Sequence, residues 1–164
     1  MANTEGYVPS RVARSPSWLL ATAAKQGHRL VDEHLSAEGL RRQHYLVLAG
    51  LVELDAPAQA ELGRLLRVDG SDLVALLNDL EDAGYVRRQR SSTDRRRNAV
   101  VPTERGRAAL RRMDHLVEQA NDTLLAALSP LERELLTSLL IRVILTADPA
   151  HPLDRPMNTG RTRP

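Results

Sequence analysis

The sequence contains no cysteine among its 164 residues. Disulfide bonds, thiolate metal sites and cysteine-based redox switches are therefore excluded as a basis for its function. Aromatic residues are scarce too, with one Trp, three Tyr and no Phe. A core built almost without them must consist mainly of Leu, Val and Ala, a composition that favours helices.

Long apolar segments and catalytic signatures are also missing. No apolar run approaches the ~20 residues of a membrane helix, and the N-terminus MANTEGYVPSRVARS lacks the apolar centre of a secretion signal. We therefore expect a cytoplasmic protein without a membrane partner. No phosphate-binding glycine loop, Gly-x-Ser-x-Gly elbow or zinc-binding helix motif is present, so we expect no enzymatic activity.

The positive charge is concentrated in one segment. The whole chain has a formal net charge of +2, yet residues 87–112 contain ten arginines against Asp94 and Glu104. The remainder of the chain is consequently acidic. Such segregation indicates a surface that faces a polyanion such as nucleic acid.

The apolar pattern predicts an order of helices, a hairpin and further helices. Residues 1–16 are polar, and we interpret them as a flexible, irregular arm. Helices are predicted over about 17–37 and twice within 103–147, and a region of mixed pattern spans about 41–102. The last helix contains the run LLIRVIL, which is too apolar to face solvent and predicts packing against another subunit or the first helix. Residues 148–164 are interpreted as a flexible tail.

The middle region predicts a helix-turn-helix. Pro57 suits the first position of one helix, PAQAELGRLLRV, and Asp69 suits the N-cap of the next, which Gly84 would end. The joint between the two helices is only two or three residues long. In the second helix the leucines recur at helical spacing and define a buried stripe, Leu73, Leu76, Leu77 and Leu80.

Two short strands follow this helix pair. The segments YVRRQR and RNAVVP are predicted to form two short strands, SSTDR connects them, and Thr103 is placed to cap the following helix. A hairpin appended to a helix-turn-helix is a winged helix. The predicted fold class is therefore mainly α, a winged helix-turn-helix flanked by N- and C-terminal helices.

The sequence resembles the MarR family of bacterial transcriptional regulators over about 17–147. The segments LNDLEDAGYVRR and DRRRNAVVPTERGRAAL carry the resemblance. The second resembles the wing signature of the family at the positions Asp94, Arg95, Arg96, Thr103, Gly106 and Leu110. The resemblance implies a homodimer with intertwined N- and C-terminal helices. It also implies that each subunit inserts a recognition helix, here about 70–83, into the major groove of double-stranded DNA.

The same resemblance places an arginine of the wing tip in the minor groove, with Arg96 as the first choice and Arg95 as the second. A planar guanidinium suits the negative potential of a narrow minor groove. Asp94 would orient a wing arginine through an ion pair, with Arg88 as the expected partner. The flanking arginines are expected to bind phosphates, and these are Arg87, Arg88, Arg90 and Arg97.

The predicted recognition helix departs from the usual charge pattern. From Asp69 to Val86 there is no Lys or Arg, while five acidic residues are present. Asp72 could accept a hydrogen bond from cytosine or, alternatively, only favour the helix N-terminus electrostatically. The acids near the C-terminal end would face solvent or pair with basic residues. Base contacts then fall to Ser71, Asn78 and the apolar Val74 and Ala75.

A small anionic aromatic effector is a further implication of the resemblance. Its pocket would lie between the dimerisation helices and the DNA-binding part. The candidate residues are Trp18, His34, His44, Tyr45, Arg107 and Arg111. His34 also suits a structural role on the apolar stripe of the first helix. The histidines show no close ligand spacing, so we expect no metal site and no cofactor.

Two functions from different classes remain at this stage. The leading hypothesis is a ligand-responsive, dimeric repressor that binds a pseudo-palindromic operator. The alternative is a winged helix that binds nucleic acid without sequence preference or binds protein, which the acidic recognition helix favours.

Overall fold

The computed structural model describes residues 7–54, 57–90 and 98–154, and this part of the chain is mainly helical. Its order of elements confirms the predicted winged helix-turn-helix with flanking helices. In chain order the elements are α1 (Ser10–Ala13), α2 (Pro16–Ser36), α3 (Arg42–Glu53), α4 (Gln59–Leu66), α5 (Gly70–Asp82), β1 (Val86–Arg90), β2 (Asn98–Pro102), α6 (Glu104–Leu124), α7 (Pro130–Ala147) and a 3-10 turn (Pro152–Asp154).

Two segments outside the main helices differ from the expectation of irregular chain. The prediction for residues 1–16 is wrong at Ser10–Ala13, which form the single turn α1. The segment after α7 contacts the body of the protein. The guanidinium of Arg67 donates to the carboxylate of Asp148 and to the carbonyl of Ala150, the latter over 3.1 Å. The Arg67 hydrogen bond also lowers the pKa of Asp148 below its usual range.

The helix-turn-helix is formed by α4 and α5. Asp69 caps α5 as predicted, because its carboxylate accepts from the backbone N–H of Ser71 over 2.8 Å. Gly84 follows the helix with a φ of +73°, which is the left-handed conformation expected of a C-terminal glycine. The turn itself contains a second left-handed residue, Arg67, with a φ of 54°. All four leucines predicted for the inner face of α5 are buried.

The start of α4 corrects the prediction for Pro57. The helix begins at Gln59, with Ala58 as its N-cap residue. Ala58 forms an isolated antiparallel bridge to Ala99 in β2. The chain is therefore extended at Ala58 and pairs with the hairpin before it turns into the helix, so Pro57 precedes the helix and does not open it.

The two strands pair antiparallel and form the predicted hairpin. Val86 lies opposite Pro102, and Arg90 lies opposite Asn98. Val86 and Val100 are buried against the helices, whereas Arg87 is exposed. The connection over 91–97 lies outside the described residues.

One hydrophobic core joins the helix-turn-helix, the hairpin and the flanking helices. As expected from the composition, leucine and valine dominate it. Its members are Leu35, Leu40, Val47, Leu48, Leu51, Leu62, Leu73, Leu76, Leu77, Leu80, Tyr85, Val86, Val100, Ala109 and Met113. Because residues of α2, α3, α5, β2 and α6 share this core, the winged helix is held firmly against α6.

The junction between the hairpin and α6 brings two backbone segments close together. The Thr103 hydroxyl accepts from the backbone N–H of Gly106 over 3.0 Å and donates to the carbonyl of Gly84 over 2.8 Å. The backbone N–H of Thr103 donates to the carbonyl of Tyr85 over 3.0 Å. A Cβ at Gly106 would lie 2.0 Å from that same Tyr85 carbonyl oxygen, so only glycine fits here. Two of the signature residues, Thr103 and Gly106, therefore have a structural reason for their spacing.

The helices outside the winged helix leave much apolar surface uncovered. Only Leu35 is buried in α2, and no residue is buried in α7. Leu131 and Leu135 of α7 are 74% and 57% exposed. In the described part of the chain, no helix combines the length and apolarity needed to span a bilayer.

We expect Gly106→Ala to destabilise the fold. The new methyl group would meet backbone atoms of Tyr85, which cannot move aside as a side chain could. Such overpacking costs about 1–3 kcal/mol, which exceeds the gain of about 1 kcal/mol that alanine brings to a helix. Urea denaturation followed by circular dichroism measures the free energy of unfolding.

Gly70→Ala is the matched control, because no atom lies within 4 Å of the added Cβ and the residue also begins a helix. Its free energy of unfolding should equal or slightly exceed that of the wild type. Equal stability of the two alanine variants would contradict the close approach at Gly106.

Candidate nucleic-acid interface

The outer face of α5 carries the residues predicted to contact bases. Because the four leucines turn inward, the opposite side of the helix faces solvent. The structure places all five predicted residues on this exposed side, namely Ser71, Asp72, Val74, Ala75 and Asn78. They lie within the first nine residues of α5, toward the N-terminal end with which a recognition helix approaches base edges.

Ser71 is already hydrogen-bonded within the N-terminal cap of α5. Its hydroxyl donates to the Asp69 carboxylate over 2.6 Å. The hydroxyl hydrogen is therefore used within the cap, while the oxygen remains able to accept a hydrogen bond. These Ser71 hydrogen bonds lower the pKa of Asp69 below its usual range, so the cap remains charged.

Two of the acidic residues of α5 have basic partners, as the sequence analysis allowed. Asp79 receives the Nε2–H of His44 over 3.1 Å, and the guanidinium of Arg41 lies 3.5 Å from the same oxygen. Glu81 forms an ion pair with Arg88 and also accepts from the backbone N–H of Arg88 over 3.0 Å. The negative charge of this helix is therefore offset by neighbouring elements.

Arg88 lies across the recognition helix and the hairpin. Besides its pair with Glu81, its guanidinium donates to the side-chain oxygen of Asn78 over 2.6 Å. The predicted partner of Arg88, Asp94, lies outside the described residues, so that pair stays a prediction. The helix partners of Arg88 were missed from the sequence, although Glu81 and Arg88 flank the turn at Gly84 and can meet across it.

The remaining wing residues are only partly described. Arg87 is exposed on β1. Arg90 ends β1 in the backbone pairing, but its side chain lies outside the description. Arg95, Arg96 and Arg97 fall within 91–97 and also lie outside the described residues. Their predicted contacts with DNA therefore remain predictions.

The histidine of α3, His44, is buried and has a structural role. His44 is 3% exposed, and its Nδ1 accepts from the backbone N–H of Arg41 over 3.1 Å. Its proton therefore resides on Nε2, which donates to Asp79. Both ring nitrogens have protein partners, so no donor or acceptor of His44 is left for the predicted effector. This residue instead connects the start of α3 to α5.

Tyr45, the next residue of α3, points toward α6. Its hydroxyl donates to the carboxylate of Asp114 over 2.9 Å. Burial, followed by the hydrogen bond and the negative charge of Asp114, raises the pKa of Tyr45 to about 12. The side chain thus joins the winged helix to the long helix that leaves it.

The other predicted effector residues are distributed over α2 and α6. Trp18 and His34 are half-buried in α2, and the His34 Nδ1–H donates to the carbonyl of Leu30 over 2.8 Å. Arg107 and Arg111 are exposed on α6 at a spacing that places them on one face.

A cleft of about 290 Å³ lies beside these residues but is lined by others. Its lining residues are Glu38, Arg112, His115, Leu116 and Gln119. Arg112 donates to Glu38 over 3.0 Å, and this hydrogen bond raises the pKa of Arg112 above its usual range. The one feature of the sequence that indicates this cleft is Arg112, which directly follows the predicted effector residue Arg111.

Comparisons with known proteins agree with this architecture. The model of the MarR family matches residues 38–97, which include α3, α4, α5 and β1. A probable transcriptional regulator from Pseudomonas aeruginosa is 28% identical with a TM-score of 0.72, and the match covers 81% of this chain and 99% of that one. A mutant of MarR from E. coli, complexed with operator DNA, is 26% identical with a TM-score of 0.68, and the match covers 77% and 91% of the two chains.

A third solved structure shares the fold at lower identity. CouR from Rhodococcus jostii, bound to p-coumaroyl-CoA, is 21% identical with a TM-score of 0.71, and the match covers 87% of this chain and 98% of that one. At this identity the likeness concerns the fold alone.

We expect a late tyrosine ionisation that belongs to Tyr45. The folded state raises its pKa from 10 to about 12, so it favours the neutral phenol. The stabilisation linked to this group is complete below pH 10 and is lost as the pH rises toward 12. An ultraviolet titration of tyrosinate absorbance should show a step near pH 12 that is absent from Tyr45→Phe.

Asp114→Asn should move that step to lower pH, because it removes the carboxylate that disfavours the tyrosinate. The exposed Tyr7 provides the control, since Tyr7→Phe should leave the step in place. Survival of the step in Tyr45→Phe would show that another group produces it.

Proposed function

We propose that this chain, whose residues 38–97 match the model of the MarR family, is a dimeric DNA-binding regulator that recognises a pseudo-palindromic operator. The observation that carries the proposal is the exposed outer face of α5 within a helix-turn-helix that continues directly into an arginine-rich hairpin. This arrangement would place α5 in the major groove of DNA and the hairpin at the minor groove.

The major groove receives α5 in this proposal. Ser71 and Asn78 supply hydrogen bonds to base edges, and Val74 and Ala75 offer apolar contact to thymine methyl groups. Asp72 stands in the first turn, where it either accepts from cytosine or supports the helix N-terminus. The structure of E. coli MarR complexed with operator DNA supports this placement by its similar fold.

The minor groove receives the wing tip. We assign the inserted arginine to Arg96, with Arg95 as the second candidate and Asp94 as the residue that orients it. The phosphate contacts are assigned to Arg87, Arg90 and Arg97, and Arg88 adds its charge from the surface of α5. Because these contacts release counterions, binding should weaken steeply with salt.

A homodimer accounts for the uncovered apolar surface. Along α7, Leu131, Leu135, Leu139 and Val143 recur every fourth residue and are exposed in the single chain. Exposed leucines of α2 add to this surface. Burying these side chains against a second copy would stabilise the pair, and a two-fold axis would set the recognition helices about 34–36 Å apart.

Control of DNA binding by a small anionic aromatic ligand completes the proposal, with repression as its outcome. CouR, bound to p-coumaroyl-CoA, supports this regulation only through the shared fold. A ligand held between α6 and the winged helix would favour a spacing of the two recognition helices that misfits the operator. Trp18, Tyr45, Arg107 and Arg111 remain the proposed contacts.

The alternative function is a winged helix that binds without sequence preference. One observation favours it, since residues 69–86 contain no Lys or Arg on the helix that should read bases. Binding would then depend on the wing and on phosphate contacts alone.

Selection of bound genomic fragments by the purified protein distinguishes these functions. We expect one enriched inverted repeat, and Arg96→Ala should bind it about tenfold more weakly because an inserted guanidinium is lost. Lys25→Ala removes one positive charge from α2 and should bind like the wild type. Broad recovery without a motif would favour the alternative, and normal affinity of Arg96→Ala would contradict the wing assignment.

The dimer interface has a separate test. The double change Leu135→Glu and Leu139→Glu places two charges on the apolar face of α7, so we expect a monomer by light scattering. The circular dichroism of the winged helix should be retained, because no core residue changes. Thr137→Glu adds a charge at an exposed polar position on the opposite side of the same helix and should remain a dimer. A dimeric double variant would place the interface elsewhere.

A further inference from the structure

The contact between Arg88 and Asn78 determines which way the Asn78 amide faces. An asparagine side chain has one accepting oxygen and one donating NH2 group, whereas a guanidinium can only donate. The atom 2.6 Å from Arg88 must therefore be the oxygen, Oδ1. The Nδ2 group is turned away from Arg88, and Asn78 is an exposed residue of α5.

Glu81 holds the guanidinium in this place. Its carboxylate forms the ion pair with Arg88 and accepts the Arg88 backbone N–H over 3.0 Å, so both ends of the arginine are fixed. Asn78 and Glu81 lie one turn apart on α5, which lets a single guanidinium bridge them. The hairpin thus contributes a cation to the recognition helix, which has none of its own.

This arrangement limits what Asn78 can recognise in the major groove. The frequent contact between asparagine and adenine uses both amide atoms, the oxygen for the N6 amino group and the nitrogen for N7. Here an adenine amino group would have to share Oδ1 with a guanidinium. The same holds for the N4 amino group of cytosine. The Nδ2 group has no hydrogen-bond partner among the described residues, and it suits acceptors, which are N7 and O6 in guanine and O4 in thymine. Adenine N7 is an acceptor too, but it lies beside the N6 amino group, which would have to compete with Arg88 for Oδ1.

Resting on the proposed function, we propose that Asn78 is a specificity-determining residue that selects guanine or thymine at one position of each half-site. Arg88 and Glu81 are positioning residues that fix the orientation of its amide. The proposal deepens the DNA-binding function by stating which base edges the recognition helix favours.

Selection from randomised double-stranded DNA tests the proposal with the full-length protein. Wild type, Asn78→Ala, Arg88→Met and Arg87→Met are compared by the base frequencies at every operator position. Asn78→Ala should lose the preference for guanine or thymine at one position per half-site, with discrimination falling about tenfold. Arg88→Met frees Oδ1, so adenine should become accepted at that same position.

Arg87→Met is the matched control, because it removes a charge from the neighbouring position of β1, whose side chain projects from the other side of the strand. It should weaken binding uniformly without changing any base frequency. This readout separates a positioning role of Arg88 from a simple phosphate contact, which would also act uniformly.

Three results would overturn the proposal. The first is an unchanged motif in Asn78→Ala, and the second is a wild-type preference for adenine or cytosine at the position that Asn78→Ala alters. The third is an Arg88→Met motif that excludes adenine there as strongly as the wild type does. By contrast, if even the wild type enriches no motif, the proposed operator recognition itself fails, and the inference fails with it.

Discussion

The close approach of Gly106 to the Tyr85 carbonyl is the constraint on which the arrangement of the molecule depends. It brings the end of α5, the start of β1 and the start of α6 together at one point. Thr103 completes this point, because its hydroxyl bonds to both sides of the junction. The direction in which α6 leaves the hairpin, and hence the placement of the winged helix against the long helices, follows from this contact.

Charge on the recognition helix is balanced by neighbouring elements of the fold. Asp69 caps α5, Asp79 pairs with Arg41 and His44, and Glu81 pairs with Arg88. An acidic recognition helix is therefore compatible with a nucleic-acid interface, since much of its charge already has a partner. The basic partners lie at the start of α3 and in β1. Their contacts also fix α5 against both of these elements.

The sequence predicted the elements that depend on local pattern, and it failed where distant residues meet. The leucine spacing of α5, the Asp69 cap and the left-handed Gly84 were all readable from neighbouring residues. The prediction for Pro57 is wrong because the local preference of proline for a helix start yields to the bridge between Ala58 and Ala99. The pairing of His44 with Asp79 could not be predicted, because nothing nearby in the sequence reveals it.

The left-handed Arg67 has an energetic consequence for the turn between α4 and α5. A side chain in this conformation costs about 1 kcal/mol relative to glycine, and its exposed ion pair with Asp148 returns little net stability. Exchange of this arginine for glycine would therefore not lower the melting temperature. The arginine instead fixes the position of one segment, because it attaches the end of α7 to the helix-turn-helix, 81 residues away in the chain. Arg67 therefore contributes to the arrangement of α7 and the helix-turn-helix, and a measurement of stability alone would not detect this contribution.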